Sequence, residues 1–261
     1  MTDAVKQCCA RLYESDLVAR LLGDSFHPGG STLTERLGEL LRLTPESHLL
    51  DVAAGRGTSA FVLARRFGCK VTGMDLSAQN ITRARADAAD LPFANRLIFT
   101  VGDAEQLPLA DASVDAIICE CALCTFPDKP RAAREFVRVL KPGGAVAVSD
   151  ITRAARSNGE FADLMSWISC LGGAATAREY ADWLTHAGLT DVLIESHDEA
   201  LLDMVSDIGK RLFGAEVLVG LNKLDLPGID FSTAKRLARQ AFDAIRGARL
   251  GYAIVLALKP R

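Results

Sequence analysis

The chain has no apolar run of the roughly 18 to 20 residues that a membrane-spanning helix requires. It also has no long basic block, and its formal net charge is −3, so nothing favours binding to nucleic acid or to an anionic membrane. Residues 1–16 are too polar for the apolar segment of a secretory signal. We therefore expect a cytoplasmic protein, a monomer or a homodimer, with neither nucleic acid nor a membrane as partner.

Histidine is scarce as well, and the four histidines show no spacing typical of metal ligands, so no metal site is predicted. The seven cysteines are odd in number and no export signal accompanies them, which argues against a disulfide framework. Most of them are expected to be small buried hydrophobic residues. The segment CECALC, residues 119–124, is denser in cysteine than packing alone requires.

What the chain does contain is an alternation of short apolar runs and amphipathic segments. Strands are predicted at 49–53, 69–75, 97–103, 114–120, 145–151, 191–198 and 251–260. Helices are predicted at 58–67, 78–89, 129–140 and 179–189, with Ser77 as the cap of the second and the Pro142–Gly144 stretch ending the third. Strands that are apolar on both faces favour a parallel sheet with helices on each side.

The organisation predicted from this pattern is one domain with two additions. Residues 1–43 form an amino-terminal helical cover, interrupted at 27–32, and residues 44–198 form the α/β core. Residues 199–250 are a helical insertion with a loop at 224–230, and residues 251–261 carry the final strand of the core. The cover and the insertion are expected to shape a pocket or a dimer contact.

The most informative stretch is HLLDVAAGRGTSA, residues 48–60. An apolar run ends at Asp51, a loop of small residues follows with Gly55 and Gly57, and helix-forming residues begin at Phe61. This is the outline of a strand, a tight turn and a helix start. Proteins of the α/β class hold nucleotide-like ligands at that point.

Three acidic residues, Asp51, Asp75 and Asp103, fall where predicted strands end. In a doubly wound sheet those ends share one crevice, so we expect the three carboxyl groups to lie together. Asp75 lies 20 residues beyond Gly55, where an acid can accept both hydroxyls of a ribose. Asp103, with the amide of Ala104 beside it, is placed to read the edge of an adenine.

Two ligands fit these residues. The spacing of Gly55, Gly57 and Ala60 satisfies the dinucleotide fingerprint, which favours a nicotinamide-dependent oxidoreductase. Asp51 favours the other ligand, because an acid there repels a diphosphate but attracts a cationic amine, such as that of S-adenosylmethionine. A sensor that binds the cofactor without catalysis is a third interpretation.

Five segments, DVAAGRG, GMDLS, GDAEQLP, SVDAIICE and RVLKPGG, occur in the order and spacing of class I S-adenosylmethionine-dependent methyltransferases. This resemblance covers about residues 27–190. It implies a Rossmann-like α/β fold with a seven-stranded, mostly parallel sheet whose last strand is antiparallel. It also implies S-adenosylmethionine as cofactor and methyl transfer to a small-molecule acceptor.

The same resemblance implies a role for each cofactor-binding candidate. Asp51 and the backbone of Ala53, Gly55 and Gly57 would hold the methionine end, and Ala53 stands where the family usually has its first glycine. Asp75 would take the ribose hydroxyls. The remaining positions would line the adenine or methionyl pocket: Leu76, Asp103 and Ala104 at the adenine, and Cys119 or Glu120 at the methionyl group. The segment HPGG at 27–30 resembles the cover segment of such enzymes.

A narrower resemblance concerns the acceptor. The segment IICECALCTFPDK is similar to the cysteine-bearing segment of arsenite methyltransferases, with Cys121 on that family's metalloid-binding cysteine. The segment SCLGGA is similar to a second segment of that family and places Cys170 on the other metalloid ligand. Thiolates are the ligands that soft centres prefer. Cys124 or Cys119 is a candidate third ligand, and His27 is a candidate base or acceptor contact.

The alternative is an ordinary oxygen, nitrogen, carbon or sulfur acceptor. Cys121 and Cys170 would then only pack around the pocket. The sequence leaves both acceptors open.

Overall fold

The computed structural model describes residues 27–154, 169–221 and 230–261, with only the backbone at residues 169 and 170. The part of the predicted cover before His27 lies outside these residues. The helices are α1 (Gly30–Leu40), α2 (Thr58–Phe67), α3 (Ala78–Ala89), α4 (Lys129–Val139), α5 (Ser169–Gly172), α6 (Ala177–His186), α7 (Asp198–Gly220) and α8 (Phe231–Arg246). The strands are β1 (His48–Val52), β2 (Lys70–Asp75), β3 (Leu97–Val101), β4 (Val114–Glu120), β5 (Leu140–Arg153), β6 (Thr190–Ser196) and β7 (Leu250–Leu258). Short 3-10 turns occur at Ala94–Arg96 and Leu123–Thr125.

The seven strands form one sheet in the order β3-β2-β1-β4-β5-β7-β6. Strands β1 to β5 pair in parallel, whereas β7 runs antiparallel to both β5 and β6. The predicted seven-stranded, mostly parallel Rossmann-like sheet with an antiparallel last strand is therefore confirmed. The strand order reverses between β1 and β4, and open α/β sheets bind ligands at the carboxyl ends of strands beside such a reversal.

The core lies on both faces of the central strands. Leu49, Leu50 and Val52 of β1 are fully buried, as expected for a strand that helices cover on each side. Helix α2 contributes Leu63 and α4 contributes Phe136, both without solvent exposure. This packing fixes the carboxyl ends of β1 and β4 in place, which is what a preformed ligand site requires.

Strand β5 begins at Leu140, five residues earlier than predicted. The prediction that the Pro142–Gly144 stretch ends helix α4 is therefore wrong, because the chain is already extended before it. Leu140 is already extended and pairs with Val114, while Ala145 pairs with Ala116, so the register shifts between them. The stretch Pro142–Gly144 lies within this irregular part of the strand. Proline and a glycine with positive φ are typical of such bulges, and Gly143 has φ 79°.

Helix α6 begins at Ala177 rather than at the predicted residue 179. Thr176 accepts a hydrogen bond from the backbone N–H of Glu179 (3.1 Å), and the Glu179 carboxylate accepts one from the N–H of Thr176 (2.8 Å). This reciprocal pair is a capping box, which sets the first turn. The predicted cap of α3 is confirmed, because Ser77 Oγ accepts from the N–H of Asn80 at 3.1 Å.

Helices α7 and α8 occupy the stretch predicted as an insertion between β6 and β7. They pack against each other, and Lys235 of α8 donates to both carboxylate oxygens of Glu216 on α7. The division of the chain into cover, core and insertion remains a prediction. Among helices in the described ranges, none combines the length and the apolar character needed to cross a membrane.

Candidate cofactor and acceptor site

A cleft opens at the carboxyl ends of β1, β2 and β4, where the sheet topology predicts a ligand site. Most of the residues predicted from the sequence line its wall: His27, Asp51, Ala53, Gly55, Asp75, Leu76, Asp103, Ala104, Glu120 and Cys121. The wall also contains residues that the sequence did not single out, among them Met74, Asn80 and Thr125. The predicted residues Gly57, Cys119 and Cys124 do not belong to it.

The loop after β1 turns sharply because several of its residues have positive φ. Ala53 has φ 60° and Gly55 has φ 54°, both in the left-handed region that favours glycine. Its amides are fixed to neighbours, since Ala54 N donates to the Met74 carbonyl at 2.9 Å. A glycine would adopt this backbone conformation at position 53 without the strain that the Cβ atom of Ala53 brings.

Gly57 supports the loop from behind rather than lining the cleft. It has φ 82°, and a Cβ atom added there would lie 2.7 Å from the ring of Phe99 on β3. The absence of a side chain lets helix α2 begin against that ring. The structure gives Gly57 a role in placing the loop, and its predicted contact with the cofactor remains a prediction.

We expect Gly57→Ala to lower the free energy of unfolding by about 2 kcal/mol, because the methyl group meets Phe99 and the backbone is left-handed. Urea denaturation measures this loss. Gly209→Ala on α7 is the matched control, since a Cβ atom there would meet no atom of the described chain within 4 Å. It is expected to raise stability by about 0.5 kcal/mol. Equal effects of the two substitutions would contradict the assigned role of Gly57.

Asp51 is the most unusual group of the cleft. It is only 2% exposed, and its Oδ2 atom accepts no hydrogen bond from the described residues. Burial raises the pKa of this carboxyl well above its usual range, and the nearby carboxylates of Glu120 and Asp75 raise it further. The backbone N–H of Ala60 offsets part of this effect, but a buried acid with one unsatisfied oxygen is costly unless a ligand supplies a donor or a positive charge.

Asp75 is held in a fixed orientation at the end of β2. Its Oδ2 accepts from the N–H of Gly55 and its Oδ1 from the N–H of Ser77, both at 2.8 Å. Leu76 beside it is 40% exposed although it is apolar, which leaves a hydrophobic surface at the cleft. A carboxylate next to an apolar wall fits a ribose and an attached base.

Asp103 and Ala104 close the same end of the cleft. Asp103 Oδ1 accepts from the N–H of Glu105 at 2.9 Å, which fixes the turn after β3. Both residues line the wall, as predicted. Their assignment to the adenine remains a prediction.

Asn80 is a site residue that the sequence reading missed. It is 3% exposed, lines the cleft, and its Oδ1 atom has no hydrogen-bond partner among the described residues. The sequence feature that could have identified Asn80 is its position on α3, where it shares the buried face with Ile81, Ala84 and Ala88. A polar side chain on an otherwise apolar buried face indicates a ligand contact when no protein partner is present.

Glu120 lies at the end of β4 and joins the cover segment to the sheet. Thr34 Oγ1 donates to its Oε1 and Oε2 atoms, at 3.3 and 3.2 Å. His27 Nδ1 lies 3.6 Å from Glu120 Oε1, and His27 Nε2 lies 3.3 Å from Thr34 Oγ1. The structure thus brings the predicted residues His27 and Glu120 together at the mouth of the cleft.

The cysteines of residues 119–124 separate into two environments. Cys121 lines the cleft, but Cys119 is fully buried within β4, and burial raises the pKa of its thiol well above the usual range. Cys124 turns inward, and its N–H donates to Asp150 Oδ2 at 2.8 Å. Burial raises the pKa of Asp150 to about 6. Cys119 and Cys124 are therefore placed in the core because the strand and the following 3-10 turn carry them there.

The backbone of Cys170 lies in helix α5, which contacts the 3-10 turn Leu123–Thr125. Gly173 after α5 approaches the carbonyl of Cys124 so closely that no side chain fits there. The segments that carry Cys121 and Cys170 therefore lie side by side. The Cys170 side chain itself is outside the described residues.

Comparison with known proteins agrees with this geometry. Residues 50–148 match the family described as Methyltransferase domain. The chain is 32% identical over 183 residues to an arsenite methyltransferase of Halobacterium salinarum, covering 67% of this chain and 46% of that protein. It is 29% identical to methyltransferase GfsG of Streptomyces halstedii, covering 91% and 83%. It thus spans about half the length of the first relative and most of the second.

The fold is also that of phosphoethanolamine N-methyltransferase 2 of Haemonchus contortus, solved in complex with S-adenosyl-L-methionine. The TM-score is 0.79 with 18% identity, covering 93% of this chain and 56% of that one. The match of residues 50–148 to a methyltransferase domain favours S-adenosylmethionine over a dinucleotide, the two ligands that the glycine loop allowed. Residues 50–148 are thus a methyltransferase domain, and the chain is similar to the class I S-adenosylmethionine-dependent methyltransferases, with partial resemblance to the arsenite methyltransferases.

Proposed function

We propose that this protein binds S-adenosylmethionine in the cleft and transfers its methyl group to a small-molecule acceptor. The observation that carries the proposal is Asp51, a buried carboxyl beside two further acids, with one oxygen that accepts no hydrogen bond from the part of the chain that the structure describes. The cofactor supplies an amine that an acid can bind and a sulfonium that holds an electrophilic methyl group. The acids of this cleft suit such a cation and would repel a diphosphate.

Each of the cleft residues would have a separate role in binding the cofactor. Asp51 would hold the amine and Asp75 the ribose hydroxyls. Asn80 would offer the ligand its Oδ1 atom, which has no hydrogen-bond partner within the described ranges. The catalytic contribution of the protein would come mainly from placing the acceptor in line with the methyl group and from excluding water. His27 and Glu120 lie where a bound acceptor would meet the cover segment.

The direct experiment is incubation with cofactor labelled on its methyl group and a panel of arsenite, small thiols, phenols and amines. Transfer of label to one class of acceptor is the expected result. Tight binding of the cofactor with no transfer to any member would favour the sensor interpretation. Failure to bind S-adenosylmethionine or S-adenosylhomocysteine would contradict the proposal itself.

A second candidate is a thiophilic acceptor such as arsenite. It is favoured by the Cys121 thiol on the cleft wall and by the packing of α5, which carries Cys170, against the turn that follows Cys121. Trivalent arsenic binds thiolates, and its lone pair would be the nucleophile. The arsenite methyltransferase of Halobacterium salinarum supports this candidate as a relative.

If the acceptor is arsenite, we expect Cys121→Ser and Cys170→Ser each to lower the rate of arsenite methylation by at least about 100-fold, because a hydroxyl is a poor ligand for a soft centre. The affinity for S-adenosylhomocysteine is expected to change little. Cys69→Ala is the control, since Cys69 is a buried thiol just before β2 and does not line the cleft. Normal arsenite turnover by both serine variants would rule out this candidate.

A further inference from the structure

Tyr252 is a buried polar residue that the proposed cofactor site does not use. It lies on β7, next to β5 in the sheet, and its side chain is fully buried. Its hydroxyl donates to Ser149 Oγ at 3.0 Å and accepts from the Cys121 thiol, with 3.4 Å between sulfur and oxygen. Burial raises the pKa of Tyr252 well above its usual range, so the hydroxyl keeps its proton.

Cys121 is fixed at its backbone as well as at its sulfur. It has φ 48°, a left-handed conformation that is uncommon for a residue with a side chain. Its N–H donates to the carbonyl of Ser149 at 2.8 Å. Ser149 therefore holds the backbone of Cys121 directly and its sulfur through Tyr252.

The consequence is a defined position for the sulfur. A cysteine side chain next to an open cleft has three rotamers, and a hydrogen-bond partner favours one of them. The bond to Tyr252 stabilises the rotamer observed, which leaves the residue on the cleft wall. Positioning to within a fraction of an ångström is what a residue that binds an acceptor requires.

We propose that Tyr252, backed by Ser149, is a positioning residue for Cys121 that holds the sulfur at the cleft and offers it a hydrogen-bond donor when it reacts. The inference rests on the thiophilic form of the proposed function. A reacting thiolate only accepts hydrogen bonds, so the Tyr252 hydroxyl must turn from Ser149 toward the sulfur. The hydroxyl of Ser149 can then donate to the oxygen of Tyr252, which keeps both groups satisfied.

The first test is the rate at which iodoacetamide alkylates Cys121 at pH 7.5, followed by fragment mass spectrometry that separates Cys121 from Cys119 and Cys124. Tyr252→Phe removes only the hydroxyl and is expected to slow alkylation about tenfold, because thiolate is the reactive form and loses its donor. Tyr180→Phe is the matched control. Its hydroxyl is equally buried but donates to the carbonyl of Ile151.

A tenfold slower reaction in Tyr252→Phe with no change in Tyr180→Phe supports the proposal. An unchanged rate in Tyr252→Phe overturns it, and so does an equal slowing in both variants, because that result shows a general effect of losing a buried hydroxyl. The reaction needs neither cofactor nor acceptor. The failure of this inference would therefore leave the proposed methyl transfer untouched, and a failure of methyl transfer would leave this measurement valid.

A second measurement keeps the test decisive if Tyr252→Phe does not fold. The chain has three tyrosines, so carbon-13 labelling at Cζ gives few signals to assign. In Cys121→Ala the Tyr252 signal is expected to move, because its hydroxyl loses a partner, while the Tyr180 signal stays in place. An unmoved Tyr252 signal in Cys121→Ala overturns the proposal.

Discussion

Asp51→Asn is expected to weaken the binding of S-adenosylhomocysteine by about 100-fold, which corresponds to the loss of one charge-assisted contact in a buried site. The same substitution is expected to leave the unliganded protein at least as stable as the parent. The reason is that the Asp51 carboxyl is buried and its Oδ2 atom has no partner within residues 27–154, 169–221 and 230–261, so a charge there costs stability unless a cation is bound.

The pH dependence of this prediction has a definite sign. The pKa of Asp51 is raised in the folded protein, chiefly by burial and then by Glu120 and Asp75. Its contribution to stability is therefore fully present below its unfolded pKa and is lost as the pH rises through the raised folded value. Binding of an ammonium group favours the charged carboxylate. Below the raised pKa of Asp51, affinity for the cofactor should thus rise with pH and binding should release a proton.

Calorimetric titration of the cofactor in two buffers with different ionisation enthalpies measures the number of protons released on binding. The parent is expected to release a proton, and Asp51→Asn is not. The control is Asp115→Asn, away from the cleft. Burial raises the pKa of Asp115, but the hydrogen bonds from Lys141 and from the N–H of His48 lower it by more. The pKa of Asp115 is therefore lowered, and its contribution to stability is lost as the pH falls rather than as it rises. Loss of binding in both variants, or in neither, would contradict the role of Asp51.

Asp75→Asn is expected to weaken the binding of S-adenosylhomocysteine by about 100-fold, because each hydrogen bond from a ribose hydroxyl to a carboxylate contributes about 1.5 to 3 kcal/mol. The substitution also sets an amide group against the N–H donors of Gly55 or Ser77, which now point at carboxylate oxygens. The loop after β1 would lose part of its support for that reason.

A modified ligand separates these two effects. The parent is expected to bind the analogue without the ribose 2′-hydroxyl about tenfold more weakly than S-adenosylhomocysteine, and Asp75→Asn is expected to show almost no preference. Asp103→Asn is the control and should keep the preference of the parent. Full discrimination by Asp75→Asn would show that Asp75 does not contact the ribose.

The parts of the fold that the sequence predicted are those set by local pattern. The apolar run that ends at Asp51 and the turn that follows it are read directly, because strand, glycine loop and helix start are adjacent in the chain. The start of β5 was missed, because the stretch Pro142–Gly144 resembles a loop until its pairing partner is known. That partner is β4, and sequence pattern does not give the register between two strands.

In the candidate site, too, the residues set by local pattern were predicted and the contacts between distant residues were not. Asp51, Asp75 and Asp103 were predicted from their places at strand ends, and all line the cleft. The contact between Cys121 and Tyr252 could not be predicted, since 131 residues separate them and only the sheet order brings β7 beside β5. The burial of Cys124 was equally hidden, because a 3-10 turn after β4 rotates it onto Asp150.

The most direct test of the central claim, that the acids of this cleft bind an adenosyl ligand through its ammonium group and its ribose, is one pair of calorimetric titrations of the parent protein. One uses S-adenosylhomocysteine and the other a reduced nicotinamide dinucleotide. One site for S-adenosylhomocysteine, with proton release and no heat from the dinucleotide, is the predicted result. Binding of the dinucleotide, or no binding of S-adenosylhomocysteine, would contradict it.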